Sequence, residues 1–232
     1  MQPKFISIVG AGGKTTALRV LARALASRRV LVTTTTHMFP VLPPDCRTVL
    51  TDPATDALLT QLRLSGAVCA GRQAEAGKLC ALSPALLTQA AVAADIVLCE
   101  ADGAHCLPLK LHRADEPVLV PQTDLCLIVA GLSALGKPVR DVVHRYALCP
   151  DWAENPEQIV GIPELLYCVR ETAATCGLPK ARLRVLLNQA DTPSLATLAE
   201  PAATALAAEG LDCRVGSLHA DPALLYRWIF AE

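Results

Sequence analysis

A strand, a glycine-rich turn and the start of a helix follow one another in Phe5-Ile-Ser-Ile-Val-Gly-Ala-Gly-Gly-Lys-Thr-Thr16. Residues 5–9 form a short apolar run with β-branched members, which is typical of a buried central strand. The three glycines that follow tolerate positive φ and place no side chain between the backbone and a ligand. Residues 17–26 favour helix. Together these features predict an α/β fold in which loop N–H groups and the positive end of a helix point at a bound phosphate.

Individual residues of this loop have distinct predicted roles in binding a nucleoside triphosphate. Lys14 is expected to reach the terminal phosphates and to act in catalysis, and the Thr15 hydroxyl is expected to ligate Mg²⁺. The full set of predicted nucleotide-binding residues here is Gly10, Ala11, Gly12, Gly13, Lys14, Thr15 and Thr16. The alternative is a glycine-rich strand-to-helix turn in which the lysine occurs by chance.

The spacing of the loop departs from the usual phosphate-binding pattern, G-x-x-x-x-G-K-[ST]. Residue 8, where that pattern has its first glycine, is Ile. The observed spacing, G-x-x-G-K-T-T from Gly10, resembles the loop of the Mur and folylpolyglutamate ligases. This resemblance favours ATP as the nucleotide.

Length, charge and cysteine usage limit the class of protein. A chain of 232 residues can bury a full core, and one domain over residues 1–232 is expected. The net charge is −1 and no basic stripe is visible, so no nucleic-acid partner is expected. No apolar run reaches the roughly 18 residues of a membrane helix, and a strand begins at once, so neither a membrane span nor a signal peptide is expected. Ten cysteines without Cys-x-x-Cys spacing indicate reduced thiols in a cytoplasmic protein.

Polar residues follow the second predicted strand, residues 30–32, as Thr33-Thr-Thr-Thr-His37. Strand ends in open α/β sheets carry side chains into the ligand crevice. Thr36 and His37 lie furthest toward the loop, so they are the predicted functional pair, and His37 is a catalytic candidate for positioning water. The preference of threonine for strands explains the run equally well.

A second informative strand is predicted over residues 95–100, and it ends in a carboxylate. Mg²⁺ prefers oxygen ligands and keeps several waters, so Glu100 and the Thr15 hydroxyl together would suffice to hold it. Asp102 lies one step into the following loop and is predicted to bind the metal through water or to orient a nucleophile. An Asp-Gly turn accounts for Asp102 but not for Glu100.

Three further segments surround these strands. Residues 104–123 contain three prolines between charged residues and are predicted to form a lid-like loop. Residues 131–181 are predicted to be a mainly helical elaboration of the sheet. The strand over residues 183–188 runs into Asn188-Gln-Ala-Asp191, which resembles the Asn-Lys-x-Asp motif of G-type nucleotide-binding proteins. That resemblance implies that Asp191 binds guanine and Asn188 braces the loop, whereas an Asx turn is the alternative.

The motifs taken together resemble the YqeC family. They are Gly10–Thr16, Val30–His37, Glu100–Gly103 with Pro108–Lys110, Gly136–Pro138 and Asn188–Asp191. The resemblance implies a P-loop NTPase-like three-layer fold with a mostly parallel sheet, and a role as an accessory factor for selenium-dependent molybdenum hydroxylases. Two positions depart from the family pattern, because His105 replaces a basic residue and Gln189 replaces lysine.

Three functions are compatible with the sequence. The first is Mg²⁺-dependent binding and hydrolysis of ATP or GTP, coupled to maturation of a molybdenum hydroxylase or its cofactor. The second is an ATP-dependent ligase or kinase that acts on a small cofactor precursor. The third is a nucleotide-gated binding protein without significant turnover, in which residues 104–123 move.

Overall fold

The computed structural model describes residues 2–230 of the chain. Its strands are β1 Phe5–Gly10, β2 Arg29–Thr34, β3 His37–Met38, β4 Thr48–Thr51, β5 Gly66–Gln73, β6 Leu79–Cys80, β7 Ile96–Glu100, β8 Leu109–Lys110, β9 Leu125–Gly131, β10 Val143–His144, β11 Leu183–Asn188 and β12 Asp212–Val215. Its α-helices are α1 Lys14–Ala24, α2 Thr55–Gln61, α3 Pro84–Ala93, α4 Val139–Val142, α5 Pro150–Glu154, α6 Ile162–Thr175, α7 Pro193–Ala208 and α8 Leu224–Phe230. Short 3-10 turns lie at Glu75–Gly77, Leu132–Ala134, Tyr146–Leu148 and Lys180–Arg182.

Ten of the strands form one sheet in the order β12-β11-β9-β1-β7-β2-β5-β6-β3, with β4 also paired to β5. The strand that carries the glycine turn, β1, lies between β7 and β9 and is parallel to both. Among the described strands of this sheet, pairing is antiparallel only where β6 meets β5 and β3. The prediction of an α/β fold with a mostly parallel sheet is confirmed.

Helices cover both faces of this sheet. Ile6 and Ile8 of β1 pack in a cluster with apolar residues of α1 and α8. Phe5 and Val9 point to the opposite face, because successive residues of a strand alternate. They pack in clusters that include residues of α2, α3, α6 and α7. Strands β1, β7 and β9 are buried along their whole lengths, which explains their largely apolar sequences.

The two segments predicted as a lid and as an elaboration have defined structure. Residues 104–123 are mostly irregular, but β8 within them pairs with β10, and Leu109 and Leu111 are buried. Residues 131–181 hold α4, α5 and α6, and α6 packs against β1, β8 and β9. The lid hypothesis concerns motion and stays a prediction. Within residues 2–230, no helix is both long enough and apolar enough to span a bilayer.

Candidate functional site

The glycine loop, residues 10–13, connects β1 to α1 at the centre of the sheet. Its glycines have φ values of 90° at Gly10, 77° at Gly12 and 139° at Gly13, which side chains rarely allow. A Cβ atom on Gly10 would lie 2.2 Å from the Val129 carbonyl oxygen, and one on Gly12 would lie 2.5 Å from the backbone of Gly131. The loop therefore needs glycine both for its conformation and for its close approach to β9.

Three backbone amides of the loop are bonded within the protein. The Gly10 N–H donates to Asp102 Oδ2 at 2.8 Å. The Ala11 N–H donates to the Val129 carbonyl at 2.8 Å, and the Gly12 N–H donates to that of Leu107 at 3.1 Å. These amides belong to predicted nucleotide-binding residues, yet here they fix the shape of the loop.

The first turn of α1 supplies a different set of amides. The N–H groups of Lys14, Thr15 and Thr16 lie in the first turn, where a helix provides no carbonyl one turn earlier. Gly13 is the N-cap residue of the helix, and it has no side chain that could accept hydrogen bonds from these amides. A phosphate is a fitting partner for such amides, because the helix dipole also favours an anion there.

Asp102 lies beneath the loop and is surrounded by three basic side chains. Its Oδ1 is 3.0 Å from Lys14 Nζ, and its Oδ2 is 2.6 Å from His112 Nε2 and 3.2 Å from Lys110 Nζ. The Asp102 side chain has no exposed surface and does not line the neighbouring cavity. Burial by itself would raise the pKa of Asp102, but Lys14, the hydrogen bond to His112 and Lys110 hold it well below its usual range.

Lys14 is held at the base of the site instead of extending into it. Its Nζ donates to the Gly10 carbonyl at 2.7 Å in addition to its ion pair with Asp102. Only about 6% of Lys14 is exposed. Contact with phosphates as predicted would therefore require Lys14 to exchange these partners for the ligand.

The ion-pair network continues from Asp102 into residues 104–123. Lys110 Nζ, on a side chain that is 1% exposed, donates to the Gly103 carbonyl at 2.7 Å and to Glu116 Oε2 at 3.0 Å. Glu116 also pairs with Arg145. Burial would raise the pKa of Glu116, yet the hydrogen bonds from Arg145 and Lys110 lower it to about 2. Sequence reasoning missed this anchoring role, because Lys110 gave no local signal that it would be buried.

Thr15 and Glu100 form the predicted metal pair. Glu100 ends β7 directly beside β1, where it is in register with Ile8. The Thr15 Oγ1 atom donates to Glu100 Oε2 at 3.5 Å, and both residues line the same cavity. Two oxygens this close, one hydroxyl and one carboxylate, suit a Mg²⁺ ion that keeps waters and phosphate oxygens as its other ligands. Residues 2–230 contain no group of three or more His, Cys, Asp or Glu residues that could hold a metal by themselves.

Replacing Glu100 by Gln is expected to stabilise the nucleotide-free protein at about pH 8. Burial, opposed by Lys14, raises the pKa of Glu100 from 4.5 to about 7. Between these values the folded state binds more protons than the unfolded state, so stability falls as pH rises. A glutamine does not ionise, so it does not lose stability as the pH rises. At about pH 8 the free energy of unfolding of Glu100→Gln is therefore expected to exceed that of the wild type by about 1–3 kcal/mol.

Urea unfolding at two pH values tests this expectation. The gain should be present at about pH 8 and much smaller at about pH 5, where the Glu100 carboxyl of the folded protein is protonated. Glu154→Gln, an exposed substitution on α5, should change stability at neither pH. A Glu100→Gln variant that is no more stable than the wild type at about pH 8 would contradict the assignment of a raised pKa.

The threonine run that begins at the end of β2 divides into three bonded hydroxyls and one unbonded hydroxyl. Thr33, Thr34 and Thr35 donate to the carbonyl oxygens of Ala70, Glu100 and Val118, at 2.8, 2.8 and 2.7 Å. Within the described chain, the buried Thr36 Oγ1 has no hydrogen-bond partner, and Thr36 lines the cavity together with the exposed His37. These last two residues are the pair that the sequence favoured.

Residues 188–191 meet the glycine loop from the other side. Asn188 Nδ2 donates to the Gly12 carbonyl at 2.8 Å, and the Leu218 N–H donates to Asn188 Oδ1 at 3.1 Å. Asn188 therefore has the contacts that a bracing role requires. Asp191 is exposed and accepts a hydrogen bond from Ser217 Oγ at 2.5 Å.

A cavity of about 810 Å³ opens beside the loop. It reaches the first turn of α1, and both members of the Thr15–Glu100 pair line it. Further parts of its wall come from residues 36–39, the β5–β6 connection, residues 103–107, and Arg113, Glu116, Arg145 and Gln189. The structure thus brings Lys14, the metal pair and the Thr36–His37 pair to one place.

Comparison with known proteins assigns the chain to a family. A profile of the family described as YqeC protein matches residues 6–147. The chain belongs to the YqeC family. A relative from Escherichia coli (strain K12), named Uncharacterized protein YqeC, is 35% identical over 185 residues, which cover 73% of this chain and 68% of the relative.

The range that matches the YqeC profile contains the glycine loop, the metal pair and the whole ion-pair network around Asp102. Asn188 and Asp191 lie beyond residue 147, outside that range. The membership predicted from the combined motifs is confirmed, and the roles of the individual site residues stay predictions.

Proposed function

We propose that the chain is a P-loop NTPase-like protein that binds a nucleoside triphosphate with Mg²⁺ and hydrolyses the terminal phosphoanhydride bond. The observation that carries this proposal is the Thr15–Glu100 contact of 3.5 Å beside the first turn of α1. Amides for phosphate and oxygens for a hard cation occur together there. Phosphoryl transfer needs mainly positioning and charge stabilisation, so this small set of groups is sufficient.

Each group has a defined task in this proposal. The amides of the first turn of α1 bind phosphate oxygens, and Lys14 moves from Asp102 to stabilise negative charge on the leaving phosphates. Thr15 and Glu100 would hold Mg²⁺, which supplies further charge neutralisation when bound. Thr36 and His37 lie in the same cavity and orient the attacking water. Asp102, which is fully buried, acts as a positioning residue for Lys14 instead of binding metal or water.

Release of inorganic phosphate tests the proposal. Wild-type protein with Mg²⁺ should release phosphate from GTP or ATP, and Glu100→Gln should do so about 100-fold more slowly, because it loses the charged metal ligand. Glu75→Gln is a matched control, since Glu75 also lines the cavity but is not a member of the Thr15–Glu100 pair. Equal rates for wild type and Glu100→Gln would refute the metal assignment.

We propose GTP as the preferred nucleotide. The Asp191 carboxylate, oriented by Ser217, can accept hydrogen bonds from both donors on the edge of guanine but finds only one, mismatched, on adenine. A poorly paired carboxylate costs about 1–3 kcal/mol, so a preference of roughly tenfold or more is expected. Competition of ATP against GTP should show this preference in the wild type and its loss in Asp191→Ala. Equal affinities that the substitution leaves unchanged would reduce residues 188–191 to a strand-end turn.

We also propose that this activity serves the maturation of selenium-dependent molybdenum hydroxylases. This proposal is supported by the resemblance of the combined motifs to the YqeC family. The resemblance points to a cellular process and not to a chemical step. A client protein of this kind should raise the rate of phosphate release when added to the wild type and leave Glu100→Gln inactive.

A further inference from the structure

The cavity beside the glycine loop extends mainly to one side of β1. In the sheet, β9, β11 and β12 lie on one side of β1, and β7, β2, β5, β6 and β3 lie on the other. The cavity walls beyond the loop come mostly from the second side and from residues 103–107. Asn188, Asp191 and Ser217, which would contact the base, do not line it, whereas Gln189 of the same segment does. A nucleotide bound as proposed above would therefore place its phosphates in the cavity, against the first turn of α1, and direct its base away from it.

The volume of the cavity exceeds what the phosphates of a nucleotide require. At about 810 Å³ it lies within the range of roughly 300–1,000 Å³ that is typical of sites for whole small molecules. With the base directed toward Asp191, the part of this space that lies beyond the phosphates would be free for another ligand.

The outer wall of the cavity combines cationic and apolar side chains. This name denotes the lining residues within 38–39, 73–80 and 103–107, together with Arg113, Glu116 and Arg145. Lys78, Arg113 and Arg145 carry positive charge, and of these Arg113 is paired with Asp115 and Arg145 with Glu116. Lys78 Nζ lies 5.0 Å from the centre of the Phe39 ring. The Phe39 side chain is 53% exposed, so the ring is accessible to a ligand. Met38 and Leu107 add apolar surface.

Two polar features of the cavity complete its chemistry. Glu116 is paired with Lys110 and Arg145, so its negative charge is compensated, and Glu75 is the other carboxylate of the outer wall. Thr36, whose buried Oγ1 has no hydrogen-bond partner in the described chain, also lines the cavity. Such a wall suits a molecule that has an anionic group and an apolar or aromatic part.

We propose that this cavity is a second small-molecule site, for an anionic ligand with an apolar or aromatic part, and that it is filled at the same time as the nucleotide site. The place of this ligand beside the terminal phosphate rests on the proposed function. The existence of the site rests on the cavity walls alone.

The test uses 8-anilinonaphthalene-1-sulfonate, an aromatic anion that fluoresces when it leaves water. Titration of the full chain should show one site, with and without a saturating non-hydrolysable GTP analogue and Mg²⁺. Phe39→Ser and Arg113→Gln should each weaken probe binding by about tenfold, because they remove an aromatic surface and a cation from the wall. Leu148→Ser and Arg140→Gln are matched controls, since both residues are exposed and lie outside the cavity.

The outcomes separate this proposal from the proposed function. Displacement of the probe by the GTP analogue would overturn the second site and show that the nucleotide itself fills the cavity. Equal loss of binding in the wall variants and in the controls would also overturn it. Probe binding that Phe39→Ser and Arg113→Gln weaken would support the second site. If the same protein bound neither ATP nor GTP, the proposed function would be refuted while the second site stood.

Discussion

Replacing Lys14 by Ala is expected to lower the rate of phosphate release by roughly 10²–10³-fold, the loss seen when one charge-stabilising donor is removed from an active site. The Nζ atom of Lys14 is 2.7 Å from the Gly10 carbonyl, so the ammonium already lies against the loop that would surround the phosphates. An alanine at this position leaves the developing charge to the helix amides and to Mg²⁺.

Matched variants separate this effect from a general loss of charge. Lys137→Ala removes an exposed lysine far from the loop in sequence and should retain wild-type turnover. Lys14→Arg keeps the charge but offers a planar fork in place of a compact ammonium, so it should recover only part of the activity. Turnover of Lys14→Ala within about twofold of the wild type would remove Lys14 from the mechanism.

Replacing Asp102 by Asn is expected to lower the free energy of unfolding by about 3–5 kcal/mol, because it leaves buried cations without their shared carboxylate. Lys14, Lys110 and His112 all lie within 3.2 Å of Asp102. The amide still accepts a hydrogen bond from the Gly10 N–H, so the loss reports mainly on charge. Urea unfolding at neutral pH measures it.

A control and a second substitution sharpen this measurement. Asp115→Asn removes a carboxylate from a side chain that is 72% exposed, and its expected effect is below about 0.5 kcal/mol. Adding Lys110→Met to Asp102→Asn removes one of the uncompensated charges and should recover part of the stability. If Asp102→Asn is as stable as Asp115→Asn, the carboxylate does not hold the cations as described.

The central part of the fold could be predicted because its signals are local. The apolar run, three glycines and Lys14 lie within ten residues of one another, and strand, turn and helix are each encoded by their own sequence. The Glu100 carboxylate was also predictable, since a charge at the end of a buried strand is costly unless a partner or a ligand compensates it. The structure places it beside β1, as a shared metal site requires.

The surroundings of Asp102 could not be predicted, because they depend on contacts between distant parts of the chain. Lys110 and His112 occur in a segment rich in proline and charge, which is typical of an exposed lid. Pairing of β8 with β10 instead turns Lys110 inward. The same holds for the loop amides, since the Leu107 carbonyl that accepts from the Gly12 N–H lies 95 residues further along the chain.

Titration calorimetry of GTP and ATP, with and without Mg²⁺, tests the central claim most directly. The wild type should bind GTP in the micromolar range when Mg²⁺ is present and more weakly when it is removed. Lys14→Ala should bind at least about tenfold more weakly, and Lys137→Ala should match the wild type. Failure of the wild type to bind either nucleotide, or equal binding by wild type and Lys14→Ala, would contradict a nucleotide site at the glycine loop.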